Sequence, residues 1–251
     1  MVQLERTLSS GRTAIVIGAS SGIGEALARR LSADGWRLGL LARRLDRLQA
    51  VAAELPGEAV ARRIDVAKPE DAVSVLEGML AEFGGANLVI VNAGTGHLNP
   101  ALAWSSDKET YDVNVLGFAA LSQLAMRHFL ARGSGHLVGV TSMAALRGIA
   151  DGAAYAASKA YQSTYLDGLR ALAKRSGLPI TVTEVQPGFV DTAMMKVDPP
   201  LPWILRKLLV ASPDRAARQI LVAIAKRKKH AYITRRYGPL AFLMKRLPRP
   251  G

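Results

Sequence analysis

Five short apolar runs recur along this chain at Thr13–Ile17, Arg37–Leu41, Leu88–Val91, His136–Thr141 and Ile180–Val185, and each is rich in Val, Ile or Leu. A run of this length without alternation of polar and apolar residues suits a strand buried on both faces, since neither face meets water. The segments between them, Ile23–Asp34, Arg44–Leu55, Pro69–Phe83, Tyr111–Arg132 and Tyr155–Ser176, are amphipathic and long enough for helices. Gly35, Gly84, Gly133 and Gly177 stand where those helices would stop. Parallel neighbours need crossover connections, and right-handed crossovers put helices on both faces of the sheet. The alternation therefore predicts a doubly wound α/β fold. Ala59–Asp65 and His230–Thr234 fit two further strands, the second after a helix over Pro213–Lys228, which makes a seven-stranded parallel sheet.

The 251 residues show no internal repeat and no low-complexity linker, so residues 1–251 are expected to form one domain. Cysteine is absent, which removes disulfides, thiolate metal sites and thiol nucleophiles together. The four histidines, at 97, 128, 136 and 230, form no HExxH or i, i+4 pair, and no metal is expected. Met1 to Arg12 lacks the apolar core of a signal peptide, and no run approaches the ~18 apolar residues of a membrane span. A cytoplasmic protein is the expectation.

Charge is distributed unevenly. Of 33 Lys and Arg, 13 lie in the last 51 residues beside a single acid, Asp214, so +12 of the net +13 belongs to the C-terminal fifth. The rest of the chain is nearly neutral and carries no recognised nucleic-acid-binding motif, so nucleic acid is not an expected partner.

Ligands of doubly wound sheets bind beyond the carboxyl ends of the strands, near the switch in strand order. The first strand ends in Gly18-Ala19-Ser20-Ser21-Gly22-Ile23-Gly24 and runs into a helix. Glycines let the backbone approach phosphates closely, and the helix start offers unpaired N–H groups and the positive end of the helix dipole. Gly18, Ser20, Ser21, Gly22, Ile23 and Gly24 are thus candidates for holding a dinucleotide pyrophosphate. The spacing is G-x-x-x-G-x-G, which differs from the commoner G-x-G-x-x-G fingerprint.

Further along, Asn92-Ala93-Gly94 closes the fourth strand, Ser142 follows the fifth, and Tyr155 comes 13 residues after Ser142 and four before Lys159. With the glycine turn, this ordered set resembles the short-chain dehydrogenase/reductase family over about residues 12–192, which implies a single Rossmann-type domain and a nicotinamide cofactor. Reduction of a carbonyl builds alkoxide charge on oxygen, and a positioned proton donor lowers that barrier. Tyr155 is the expected donor. A free phenol titrates near ~10, and a neighbouring ammonium is expected to bring it toward the working range. Lys159, one helical turn on, supplies that ammonium. The resemblance implies that Ser142 orients the substrate oxygen, that Asn114 holds a water linking Lys159 to solvent, and that Lys159 also bonds the nicotinamide ribose. Tyr161 and Tyr165 share the helix but have no lysine four residues later, and are read as packing residues.

Cofactor choice is read at the end of the second strand, where an acid would accept bonds from the ribose 2′-hydroxyl of NAD and a cation would pair with the 2′-phosphate of NADP. Ala42 stands where the acid would be, and Arg43 and Arg44 follow, so NADP(H) is favoured over NAD(H). Arg43 is the expected selector, and Arg44 alternatively belongs only to the solvated first turn of a helix. By resemblance Asp65 and Val66 contact the adenine, and Asn92, Ala93 and Gly94 pack beside the cofactor. Pro187, Gly188, Val190 and Thr192 belong to the segment receiving the nicotinamide.

Residues 193–212 are expected to form a variable substrate loop, apolar and proline-rich, that is either a lid over an apolar substrate or packing against the domain or a second subunit. Ser142, Met143, Tyr155, Phe189 and Met194 are the expected substrate contacts. Few polar anchors occur nearby, which favours a hydrophobic or lipid-like carbonyl compound or alcohol. Where bacterial 3-oxoacyl carrier-protein reductases close with V-T-G…D-G-G, this chain has Ala231–Arg236, which weakens a fatty-acid synthesis reading. A homodimer or homotetramer is expected. Residues 238–251 combine apolar and basic residues, and two readings stay open: peripheral contact with an anionic membrane, or a helix docked on the core or across a dimer. The expected activity is an NADP(H)-dependent oxidoreductase, and the alternative is a cofactor-binding regulatory or scaffold protein without turnover.

Overall fold

The computed structural model describes residues 11–194 and 210–246. Seven strands, β1 (Thr13–Ile17), β2 (Arg37–Ala42), β3 (Ala59–Arg63), β4 (Leu88–Val91), β5 (Gly135–Val140), β6 (Ile180–Pro187) and β7 (His230–Ile233), form one sheet. Their order is 3-2-1-4-5-6-7, and every neighbouring pair is parallel. The seven-stranded doubly wound sheet is as expected.

Both faces of the sheet are covered, and β1 shows how. Ala14 and Val16 pack on one face with Leu27, Leu31, Leu48 and Ile220, while Ile15 and Ile17 pack on the other with Leu76, Met79, Phe118 and Phe129. Successive side chains point to opposite faces, so a strand between two helix layers must be apolar throughout. The first layer comprises α1 (Gly22–Ala33), α2 (Leu45–Ala53) and α7 (Pro213–Ala225). The second comprises α3 (Pro69–Glu82), α5 (Phe118–Arg132) and α6 (Ala153–Ser176). Truncating Phe118 or Phe129, both fully buried, to Ala would cost about 3–5 kcal/mol.

Two regions depart from the sequence expectation. A helix was expected from Tyr111, but it begins earlier, as α4 (Trp104–Tyr111), passes through a π-helical turn at Asp112–Gly117, and continues as α5. Thr110 is the one buried residue of α4, so no apolar periodicity marks this helix. Near the C-terminus, α8 (Tyr237–Arg246) docks on the core through Tyr237 and Ala241, which pack with Met143, Leu146, Tyr232 and Met244. Arg147 holds α8 in place by donating to the Met244 carbonyl. The N-terminal ten residues, residues 195–209 of the expected substrate loop and residues 247–251 of the tail lie outside the described residues.

Candidate active site

Strand β1 is flanked by β2 and β4, so the crevice at the switch in strand order lies beyond the carboxyl ends of β1 and β4. The glycine turn sits there. Gly22 has φ +60°, a left-handed conformation that glycine adopts without steric penalty, and a Cβ on it would lie 2.9 Å from the Thr192 methyl. Thr192 thus borders the turn. A Cβ on Gly24 would collide with the Gly18 carbonyl, the same carbonyl that accepts a bond from Asn92 Nδ2 at 3.0 Å. Asn92 and Ala93 therefore buttress the turn from the end of β4. Ser21 caps α1 without a side-chain bond to the helix, which leaves the first N–H groups of α1 to a ligand.

At the end of β2, Ala42 is buried and offers no carboxylate. Arg44 donates to the hydroxyls of both Ser20 and Ser21, whereas the mostly exposed Arg43 lies 4.0 Å from Glu109. The geometry thus brings Arg44, the residue with the weaker sequence signal, onto the glycine turn. Asp65 caps its own turn by accepting from the Ala67 N–H, and Val66 is buried against Gly117 of the π-helical turn.

The expected catalytic set converges. Ser142 caps the short helical turn Met143–Leu146, accepting from the Ala144 N–H at 3.1 Å, and its hydroxyl is hydrogen-bonded to Tyr155 at the start of α6. Lys159 is 3% exposed, and its Nζ lies 5.7 Å from the centre of the Tyr155 ring. That nitrogen donates to Gln162 Oε1 at 3.0 Å and to the Val140 carbonyl at 3.5 Å. The fully buried Asn114 side chain clamps the segment after β4, accepting from the Thr95 N–H at 2.9 Å and donating to the Thr95 carbonyl at 2.7 Å. It also donates to Ser158, whose hydroxyl donates to the Tyr155 carbonyl.

One relationship differs from that expected. The lysine was expected to lower the Tyr155 pKa, but burial pushes the phenol up and the Ser142 bond only partly offsets it. Burial also pushes Lys159 down to about 7, because its acceptors are neutral and do not hold the charge. Gln162, whose Oε1 accepts from Lys159, also donates from Nε2 to the Asn114 carbonyl at 2.9 Å and so joins the two residues directly.

Sequence reasoning missed Gln162, Thr95, Ser158 and Gly96. Gly96 lies against Tyr155: a Cβ there would sit 2.6 Å from its ring. Of these, Gln162 had a usable signal, an amide three residues after Lys159 on the same helix face.

On the substrate side, Phe189 and Met194 are exposed at 42% and 46%. Val190 is buried and bridges Ala211, and the Phe189 N–H donates to the Tyr237 hydroxyl. Gly188 leaves space for the Tyr237 ring directly after Pro187, the last residue of β6. Met143 is buried beneath α8, so its side chain forms the support of this region.

Comparison with known proteins gives a consistent result. Residues 12–200 match the profile of the short chain dehydrogenase family. An uncharacterized oxidoreductase of Myxococcus xanthus (strain DK1622) is 39% identical over 202 residues, which cover 78% of this chain and 79% of that protein. The fold superposes with a TM-score of 0.83 on a short chain dehydrogenase/reductase from Burkholderia phymatum in complex with NAD, at 20% identity over 96% of this chain and 98% of that one. A short-chain dehydrogenase from Sphingobium yanoikuyae in complex with NADPH gives a TM-score of 0.78 at 25% identity, with the same two coverages, 96% and 98%.

Proposed function

This chain belongs to the short chain dehydrogenase family, and from that premise we propose that it is an NADP(H)-dependent oxidoreductase interconverting a carbonyl and a secondary alcohol, with Tyr155 as general acid and base. The observation that carries the reading is the convergence of Ser142, Tyr155, buried Lys159 and buried Asn114, with Lys159 Nζ 5.7 Å from the Tyr155 ring and linked to Asn114 through Gln162, beside a glycine turn at the strand switch.

The residues present fit a dinucleotide. Gly18, Gly22 and Gly24 clear the backbone for phosphates, and the start of α1 offers N–H donors. Lys159 and Asn114 lie beneath Gly94, a position where a side chain would crowd both. A nicotinamide bound there supplies or accepts the hydride. In the reducing direction Ser142 Oγ orients the substrate oxygen, and the Tyr155 hydroxyl gives its proton to that oxygen as negative charge develops. Lys159, as ammonium, favours the phenolate left behind and lowers the work of the transfer.

The absence of an acid at Ala42, with Arg43 and Arg44 following, supports NADP(H) over NAD(H). The solved structures in complex with NAD and with NADPH support a nicotinamide cofactor of either kind. Exposed Phe189, Met194 and Ile149 support a hydrophobic substrate. Exposed Leu98, Leu102, Trp104 and Leu116 on the α4 side support a homodimer or homotetramer. Exposed Phe242 and Leu243 beside Arg246 support peripheral contact of α8 with an anionic membrane.

The test is NADPH oxidation against a panel of hydrophobic ketones and aldehydes. Tyr155→Phe is expected to lose at least about a hundredfold in turnover while NADPH binding stays within about threefold, because only the transferable proton is removed. Lys159→Ala is expected to lose both. A Tyr155→Phe enzyme retaining more than about a tenth of wild-type turnover would overturn the assignment.

A further inference from the structure

Gln162 is fully buried on α6 and faces the same direction as Lys159, three residues earlier. Its orientation follows from chemistry alone. An ammonium only donates and a carbonyl only accepts, so the amide oxygen must face Lys159 and the amide nitrogen must face Asn114. Both bonds are short, at 3.0 and 2.9 Å.

The backbone at Asn114 is adapted to this bond. In an α-helix the Phe118 N–H would bond to the Asn114 carbonyl. In the π-helical turn Asp112–Gly117 it bonds instead to Val113 and Val115, leaving the Asn114 carbonyl to α6. A local break in the helix and a buried amide 48 residues away thus meet at one atom.

We propose that Gln162 is a positioning residue for the reaction: it anchors Lys159 Nζ beneath Tyr155 and makes the connection from Lys159 to Asn114 a fixed part of the chain. An amide in that place gives Lys159 its shorter acceptor, at 3.0 Å against 3.5 Å to the Val140 carbonyl. The groups facing Lys159 Nζ are the Tyr155 ring and Gln162 from α6, the Val140 carbonyl from β5, the Asn114 amide from the π-helical turn and Gly94 from the segment after β4. Tyr155 is the titratable one. No charge on a described residue adds to the effect of burial on Lys159. The consequence for turnover rests on the assignment of Tyr155 and Lys159 as the acid–base pair, whereas the bridge itself is measurable without turnover.

The experiment titrates Lys159 by NMR in ligand-free protein carrying isotope-labelled lysine, with the signal identified by its loss in Lys159→Arg. The wild-type midpoint is expected at about 7. Gln162→Met keeps the volume but removes the acceptor, and the midpoint is expected to fall by about one unit. Gln162→Glu sets a carboxylate beside the ammonium, and the midpoint is expected to rise by at least about one unit. The lysine-dependent limb of the turnover pH profile should move in the same two directions, with KM for NADPH within about threefold. Melting curves establish that each variant is folded, and the near-isosteric Gln162→Met carries the test if Gln162→Glu does not fold. Midpoints within about 0.3 unit of wild type, or an upward shift in Gln162→Met, would overturn the proposal. Shifted midpoints in a protein without turnover would instead keep the bridge and reject the dehydrogenase reading.

Discussion

Arg44 Nη2 donates to the Ser21 hydroxyl at 2.8 Å and ties the end of β2 to the glycine turn. The same guanidinium reaches Ser20 at 3.2 Å, so it organises both serines that flank the expected phosphate cradle. Its neighbour Arg43 projects outward, with Glu109 at 4.0 Å as its counter-ion. Two adjacent cations therefore have different roles.

Arg43→Ala is expected to weaken NADPH about ten- to hundredfold and to leave NADH within about threefold, since one charge-assisted contact to the 2′-phosphate is lost. Arg44→Ala is expected to weaken both cofactors, because both use the turn that Arg44 holds. Fluorescence titrations of each variant with each cofactor check the pair. Equal losses for NADPH and NADH in Arg43→Ala would remove it as the selector.

Gly96→Ala is expected to lower turnover tenfold or more at little loss of stability. Its Cβ would stand 2.6 Å from the Tyr155 ring, and displacing a catalytic group by about 1 Å costs up to about a hundredfold. Gly148→Ala, which meets nothing within 4 Å, is the control. Turnover and melting temperature measured on both variants separate misplacement of the tyrosine from a general effect of adding a methyl group.

His136 is packed in β5 with Nε2 2.8 Å from the Thr183 hydroxyl, and burial, with a smaller contribution from Arg227, pushes its pKa down to about 4. The unfolded value is higher, ~6.5, so the unfolded chain binds the extra proton first. Stability from this residue is therefore complete above about pH 6.5 and is lost as pH falls toward 4. The full loss is on the order of 3 kcal/mol. Urea unfolding at pH 8 and pH 5 should show a smaller difference in His136→Gln than in wild type. An unchanged difference would exclude His136 as the cause.

Truncation before Gly238 is expected to lower the melting temperature by several degrees, because the Ala241 contact covering Met143 and Leu146 is removed. The outward face is tested separately. Phe242→Ser with Leu243→Ser should leave the melting temperature nearly unchanged and remove any salt-sensitive cosedimentation with anionic vesicles. Wild-type protein that ignores anionic vesicles would leave α8 as a docking element alone.

The sequence by itself determined the sheet and the outline of the site. Strands such as Leu88–Val91 are apolar on both faces because helices cover both, and that burial is written locally in residue type. Likewise the left-handed backbone at Gly22 and the one-turn spacing of Tyr155 and Lys159 are local properties that a run of residues must display. Helix α4 escaped because its residues are mostly polar, and the π-helical turn because no side-chain pattern encodes one extra residue in a turn. What only the tertiary structure decided are the partners. Gln162 meets Asn114 across 48 residues, Arg44 rather than Arg43 reaches Ser21, and Met143 is covered by Ala241 nearly a hundred residues later. Such pairings depend on strand order and on how helices pack across the sheet, and a hydrogen bond forms only where that packing brings donor and acceptor within about 3 Å.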